Sequence, residues 1–236
     1  IYLFLDGVYL GIKGAVKRKK RPVLLAYGIT EDGQRELVGF RVARSESEAQ
    51  WVAFLNDLYK RGLEGERLKL IVIDGGKGLI AALDVVYPYT KRGRCWAHKL
   101  RNVANYLPKK YQGECINEAR SIYEAPHRRE AVARFWEWAN EWREIVPKAV
   151  RCLENDLDEL LTFLDFPEAH RKTIRTTNVI ERSFGEVRRR ARTMSCFNNV
   201  RSCERIVYAV VAHLNQKWER PRARLKGFYK SSLKAA

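Results

Sequence analysis

The sequence predicts an α/β fold, a mixed five-stranded sheet flanked by helices, with an all-helical insertion before a last pair of helices. Three observations predict it. Leu68-Lys69-Leu70-Ile71-Val72-Ile73 is an almost unbroken apolar run, the pattern of a strand buried on both faces inside a parallel or mixed sheet. A second such run opens the chain at Ile1–Leu5, and each run ends on an Asp followed by Gly, at Asp6-Gly7 and Asp74-Gly75-Gly76. From Ala97 to Arg171 the hydrophobic spacing is helical throughout.

Taken in order, residues 1–13 read as a long strand and Lys17 to Arg21 as a basic turn. Pro22 to Thr30 is a second strand, Glu31-Asp32-Gly33-Gln34 a hairpin turn with Gly33 supplying the positive φ, and Glu36 to Val42 a third strand. Ser45 and Glu48 have capping-box spacing ahead of a helix whose apolar face is Trp51, Phe54, Leu55 and Leu58, and Gly62 ends it. The strand ending at Asp74 follows, then a helix from Gly78 to Val86 stopped by Pro88, then a fifth strand at Arg92–Trp96. The expected order is β-β-β-α-β-α-β. Farther on, Phe135, Trp138 and Trp142 share a helical face and read as core, and Leu153, Leu157, Leu160, Leu161 and Leu164 form one amphipathic stripe. A closing helix begins at Thr176-Thr177-Asn178, and a second runs from about Val200 to Trp218. These patterns divide the chain into a first core segment 1–106, a helical insertion 107–172, closing helices 173–219 and a basic tail 220–236.

Composition narrows the function. Of 236 residues, 46% are hydrophobic, which suits a globular chain and excludes a disordered one. A formal charge of +17 points to a polyanionic partner, nucleic acid first. Five scattered cysteines, an odd number, argue against a disulfide framework and for a reducing compartment. No apolar run is long enough to span a bilayer and no membrane partner is expected. The chain opens inside a strand without Met, so it is expected to be a piece of a longer protein.

Two buried strands that each present one carboxylate must hydrate it, bond it or give it to a cation, because adjacent carboxylates repel. Metal-dependent phosphoryl transfer uses such carboxylates to hold two Mg²⁺ ions roughly 3.5–4 Å apart. Asp6 and Asp74 supply two, and a third should come from a helix beside the strand tips. Glu181 is the candidate, with Glu186 on the same helix as a rival. Each has a structural alternative: Asp6 as a strand-ending turn residue, Asp74 as a helix N-cap, and Glu181 as the partner of Asn178 in a capping box. Arg182, Arg188, Arg189, Arg190 and Arg192 outnumber their acidic neighbours and are candidates for phosphate contact. Lys77, His98 and Arg101 are further candidates for DNA contact. Cys95-Trp96-Ala97-His98 has half the spacing of a zinc site but no second pair, so zinc is not expected. Cys95, His98 and Asn178 are then structural or active-site support. No Ser-His-Asp or Cys-His nucleophile is evident.

These pieces resemble a known family. LDGVYLGIK around Asp6, LLAYGITEDGQRELVGFRVARSESEAQW, LKLIVIDGGKGL around Asp74, RCWAHKLRN and TTNVIERSFGEVRRRAR around Glu181 are similar, in order and nesting, to bacterial insertion-sequence transposases of the Mutator superfamily. The resemblance covers nearly the whole chain, with Gly76 where relatives often carry a larger polar residue. It implies a DDE catalytic domain of the RNase H-like (retroviral integrase) fold, with Asp6, Asp74 and Glu181 as catalytic and metal-binding triad. It also implies Mg²⁺ or Mn²⁺, two ions per site when DNA is bound, and cleavage of double-stranded DNA at transposon ends with 3′-OH transfer into target DNA. A homodimer or larger assembly at the bacterial nucleoid in the cytoplasm follows from the same resemblance, as does an upstream DNA-binding region outside this chain. Two other readings stay open: a catalytically inactive, transposase-derived DNA-binding protein, and an RNase H-like nuclease that cuts without joining.

Overall fold

A computed structural model describes residues 1–13, 19–191, 196–220 and 223–228, except the side chains of Arg190 and Ala191. Its five strands are β1 (Tyr2–Ile12), β2 (Lys19–Ile29), β3 (Arg35–Val42), β4 (Leu70–Ile73) and β5 (Arg92–Arg94), in the sheet order β3-β2-β1-β4-β5. The first three form an antiparallel meander, and β4 joins β1 in parallel. The chain divides into two compact units, one of residues 1–91 with 177–236 and one of Arg92–Thr176. The second unit covers 92–176, and the helical segment read from the sequence, 107–172, falls within it.

In the first unit, helices α1 (Glu48–Lys60) and α2 (Lys77–Val86) cover one face of the sheet. Side chains alternate across a strand, so odd positions of β1 and β4 meet these helices. Leu3, Leu5, Ile71 and Ile73 pack there against Trp51, Phe54, Leu55 and Leu58 of α1 and Leu79, Ala82 and Leu83 of α2. Even positions face the other way. Phe4 meets Tyr27 edge-on at 5.4 Å between ring centroids, and Tyr27 meets Trp218 at 5.7 Å. Trp218 ends α10 (Val200–Trp218), which packs on β3 and on α9 (Asn178–Ala191). Asn215 of α10 accepts a bond from the Leu37 amide at 2.8 Å and donates one to the Leu37 carbonyl at 3.1 Å.

The second unit begins with β5 and is otherwise helical: α3 (Trp96–Ala104), α4 (Lys109–Glu124), α5 (Arg128–Trp142), α6 (Pro147–Glu154), α7 (Leu157–Leu161) and α8 (Glu168–Ile174). Phe135, Trp138 and Trp142 are core, as their spacing predicts, and Trp136 points to solvent. Burying a Trp requires a partner for its N–H. Trp138 donates to the Cys115 carbonyl at 3.0 Å, Trp142 to Glu118 at 2.6 Å and Trp96 to the Leu160 carbonyl at 2.8 Å. Lys99 is buried and ion-paired with Asp156.

Several local expectations change. β2 starts at Lys19, so part of the basic stretch expected as a turn is strand; the rest, Lys17 and Arg18, lies outside the described residues. A 3₁₀ turn at Gly65–Arg67 precedes β4 and shortens it, and β5 stops at Arg94. The N-cap of α1 is Ser47, with no side-chain cap bond; Ser45 instead bonds the Ser47 hydroxyl, and Glu48 is already the first helical residue. The leucine stripe from 153 to 164 is broken among α6, α7 and a 3₁₀ turn at Thr162–Asp165. Gly33 and Gly62 take the positive φ predicted for them, 78° and 95°.

Leu55, fully buried between α1 and the sheet, should cost about 2–5 kcal/mol when cut to Ala. Asn199, whose side chain completes a capping box with Ser202 at the start of α10, should cost only about 1 kcal/mol as Asn199→Ala. Urea unfolding followed by circular dichroism checks the order, and equal losses would mean that α10 is held mainly by its cap.

Candidate active site

The site starts from strand register. β1 and β4 run parallel with Tyr2 beside Leu70, Leu3 beside Ile71, Phe4 beside Val72 and Leu5 beside Ile73. Asp6 and Asp74 follow the last of these rows, Asp6 continuing β1 and Asp74 just past the end of β4, and both lie within electrostatic reach of Glu46. Asp6 is only 3% exposed. Its Oδ1 accepts the Gly7 amide at 2.8 Å and its Oδ2 the Thr177 hydroxyl at 3.1 Å. Asp74 stands where β4 gives way to a turn: Gly75 has φ 96°, and Asp74 Oδ1 accepts the Gly76 amide at 3.0 Å. Gly76, without a side-chain cap, is the N-cap of α2, so Asp74 does not cap the helix. A Cβ built at Gly76 would meet the Asp74 carboxylate at 3.5 Å, an ordinary contact, so a larger residue fits there.

Helix α9 supplies the third candidate. Thr177, just ahead of it, is fully buried against Asp6, and Ile180, Phe184 and Val187 form the buried stripe behind it. α9 packs on β1. Glu181 follows Thr177 by four residues, about one turn and about 6 Å along the axis on nearly the same side. It is half-buried. Glu186 instead forms an ion pair with Arg189 at 2.9 Å, on the exposed side. Arg182, Arg188 and Arg189 are exposed; the Arg190 side chain and all of Arg192 lie outside the described residues. Asn178 is the first residue of α9, and Lys77, exposed, the first of α2. Cys95, buried, and His98 and Arg101 belong to the second unit, at the N-cap and on the body of α3.

Sequence patterns do not point to Glu46, in the loop between β3 and α1. Burial and the nearby charges of Asp74 and Asp6 push its carboxyl above its ordinary value of 4.5. Glycine gives it room. A Cβ at Gly7 would overlap the Glu46 carboxyl group, with Cδ at 2.7 Å, and one at Gly78 would run into the backbone of residues 46–48. Tyr9 lies in the same neighbourhood, its hydroxyl shifted upward by burial, Glu46 and Asp74. A glycine inside a strand marks close approach of another group, and Gly7 is the sequence signal that could have found Glu46. Thr177, the hydrogen-bond donor to Asp6, was expected only as part of a helix start.

Among the described residues, no three His, Cys, Asp or Glu side chains converge closely enough to hold a metal ion as they stand. The donors that do come together, Asp6 and Asp74, are oxygens. Such a pair suits a hard divalent cation, which keeps waters and takes phosphate oxygens for its other ligands.

The model of the family described as "Transposase, Mutator family" matches residues 1–221. The chain belongs to this family. It is 35% identical over 217 residues to the transposase for insertion sequence element ISRM5 of Rhizobium meliloti, covering 92% of this chain and 54% of that protein. It is 42% identical over 175 residues to the IST2 transposase of Acidithiobacillus ferrooxidans, covering 74% and 59%. With the IS406 transposase of Burkholderia multivorans it shares 38% identity over 218 residues, covering 92% and 56%. The chain thus spans about half the length of these Mutator-family relatives.

The surroundings of Glu46 set a pH dependence. A carboxyl whose pKa is raised on folding holds its proton more tightly in the folded chain. Its contribution to stability is therefore complete below the unfolded value of about 4.5 and is lost as pH rises through the folded one. Glu46→Gln, which carries no charge at either pH, should gain stability relative to the unmodified chain between pH 4 and pH 7. Urea titrations at both values check this, and an equal difference at both would mean that neither burial nor the charges of Asp74 and Asp6 raise the Glu46 carboxyl.

Proposed function

We propose that this chain is the catalytic part of an insertion-sequence transposase with an RNase H-like core, cutting DNA at transposon ends and joining the freed 3′-OH to target DNA. One observation carries the proposal: the β1–β4 register that ends with Leu5 beside Ile73, one residue before Asp6 and Asp74, with α9 tied to Asp6 through Thr177 and Glu181 one turn farther on. Family membership and the +17 charge support DNA as the substrate. The named relatives are transposases for insertion sequences, which supports this substrate over an RNA hybrid.

In the first step a water oxygen attacks phosphorus, the bond from phosphorus to the 3′-oxygen breaks, and the 3′-oxygen leaves as a hydroxyl. In the second, that hydroxyl loses its proton and attacks a target phosphodiester, and a new 3′-OH departs from the target strand. Both are in-line displacements that depend on positioning and on neutralising charge rather than on a covalent enzyme intermediate. Asp6 and Asp74, with Glu181 brought toward them from α9, would hold Mg²⁺ or Mn²⁺, which when bound would supply Lewis acidity toward the phosphate and make the attacking water more acidic. Thr177 fixes the Asp6 carboxylate by occupying one of its oxygens, and the amides of Gly7 and Gly76 orient the two carboxylates. Arg182 and Arg188 reach solvent from the helix that carries Glu181 and bind the flanking phosphates.

Asp74→Asn and Glu181→Gln should each lower metal-dependent nicking and strand joining on plasmid DNA by at least about 100-fold, with circular dichroism and DNA affinity retained. Undiminished nicking by Asp74→Asn would end the proposal. A loss confined to Glu186→Gln, with Glu181→Gln active, would move the third carboxylate to Glu186.

A further inference from the structure

Helix α10 buries one side, with Cys203, Val207, Val210, Leu214 and Trp218 against the first unit. Its other side faces solvent over 19 residues, about 28 Å. Along that side, at helical spacing, lie Arg201, Arg205, Tyr208, Ala212 and Gln216, and Arg220 follows just past the helix end; of these, Tyr208 is 66% exposed. Glu204 and Glu219 are the acids nearest the stripe. Among the described residues, no ion pair links them to Arg201, Arg205 or Arg220.

The helix is anchored. The Asn199–Ser202 capping box fixes its start, and Phe197, two residues earlier, bonds Gly11 and Lys13 at the C-terminal end of β1. Asn215 pins its other half to Leu37 near the start of β3. Arg201 and Arg205 therefore lie toward the end of the sheet at which β4 stops and Asp74 begins its turn.

We propose that the solvent face of α10 is a docking surface for duplex DNA, with Arg201, Arg205 and Arg220 on backbone phosphates. The inference rests on the DNA-processing function proposed above. Charge complementarity selects the occupant: a guanidinium fork matches phosphate oxygens, and about 28 Å of rigid helix follows roughly eight base pairs of backbone. A protein partner fits less well. Interface centres are depleted of charge and rich in large apolar groups, and here Tyr208 is the one large apolar side chain on the stripe.

The test is the salt dependence of affinity for a random-sequence duplex, read by fluorescence anisotropy in the presence of EDTA. Each lost phosphate contact lowers the slope of log affinity against log salt by about 0.9. Arg201→Ala/Arg205→Ala should therefore lose about tenfold less affinity than the unmodified chain between 50 and 200 mM salt, starting from weaker binding. Arg201→Lys/Arg205→Lys should keep the slope, and circular dichroism should show the helix intact in both. Lys60→Ala/Arg67→Ala removes the same charge from exposed positions elsewhere and should leave the slope unchanged. An unmodified chain with no salt-dependent DNA binding would defeat the proposed function as well. Normal binding by the unmodified chain with an unchanged slope in Arg201→Ala/Arg205→Ala, or an equal drop in the Lys60/Arg67 variant, would overturn the docking surface alone.

Discussion

The parallel pairing of β1 with β4 is the constraint from which the site follows. Four apolar rows lock the register, from Tyr2 beside Leu70 to Leu5 beside Ile73, and Asp6 and Asp74 are the residues that come next on each chain segment. A slip of one residue would turn one of the two toward α1 and α2 and bury the other strand's apolar residues on the wrong face. The core of the first unit therefore does two things at once: Leu3, Leu5, Ile71 and Ile73 give the packing energy, and their alternation holds two like charges side by side. Asp6 tolerates its burial because two donors, from Gly7 and Thr177, satisfy its oxygens.

Much of this was readable in the sequence, for a physical reason. Long apolar runs and helical stripes are driven by burial, and burial dominates element choice; hence β1, β3, α2 and α10 come out within a residue or two of expectation. Asp6 and Asp74 were visible because a charge at the end of an apolar strand breaks the pattern. What escaped was set by contacts between distant segments. Glu46 sits in a loop with no periodicity, and its relation to Asp6 exists only once β1 and the β3–α1 loop are folded together. The cap of α1 was misplaced by two residues because Ser45 and Ser47 are chemically equivalent, and only backbone geometry distinguishes them. The leucines from 153 to 164 fit one stripe by spacing, yet the chain turns twice within it.

The charge distribution of the first unit is uneven in a way that the net +17 conceals. Asp6, Asp74 and Glu46 gather near the strand ends, where burial, and after it the charges of Asp74 and Asp6, lifts the carboxyl of Glu46. Arginines occupy the exposed sides of α9 and α10 instead. The second unit carries ion pairs of its own. Arg94 with Glu159 and Lys99 with Asp156 are paired at its heart, next to an aromatic core.

β3 is the outer strand of the meander, and the backbone groups along such a rim ordinarily invite another chain to add a strand. Here Asn215 occupies both the amide and the carbonyl of Leu37, and Arg61 donates to the carbonyl of Val38 at 2.9 Å. A foreign strand pairing at these two residues would have to displace both side chains first. At Leu37 and Val38, then, the rim is covered by two residues from helical segments, and edge pairing at this end of β3 competes with the bonds that seat α10 on the sheet.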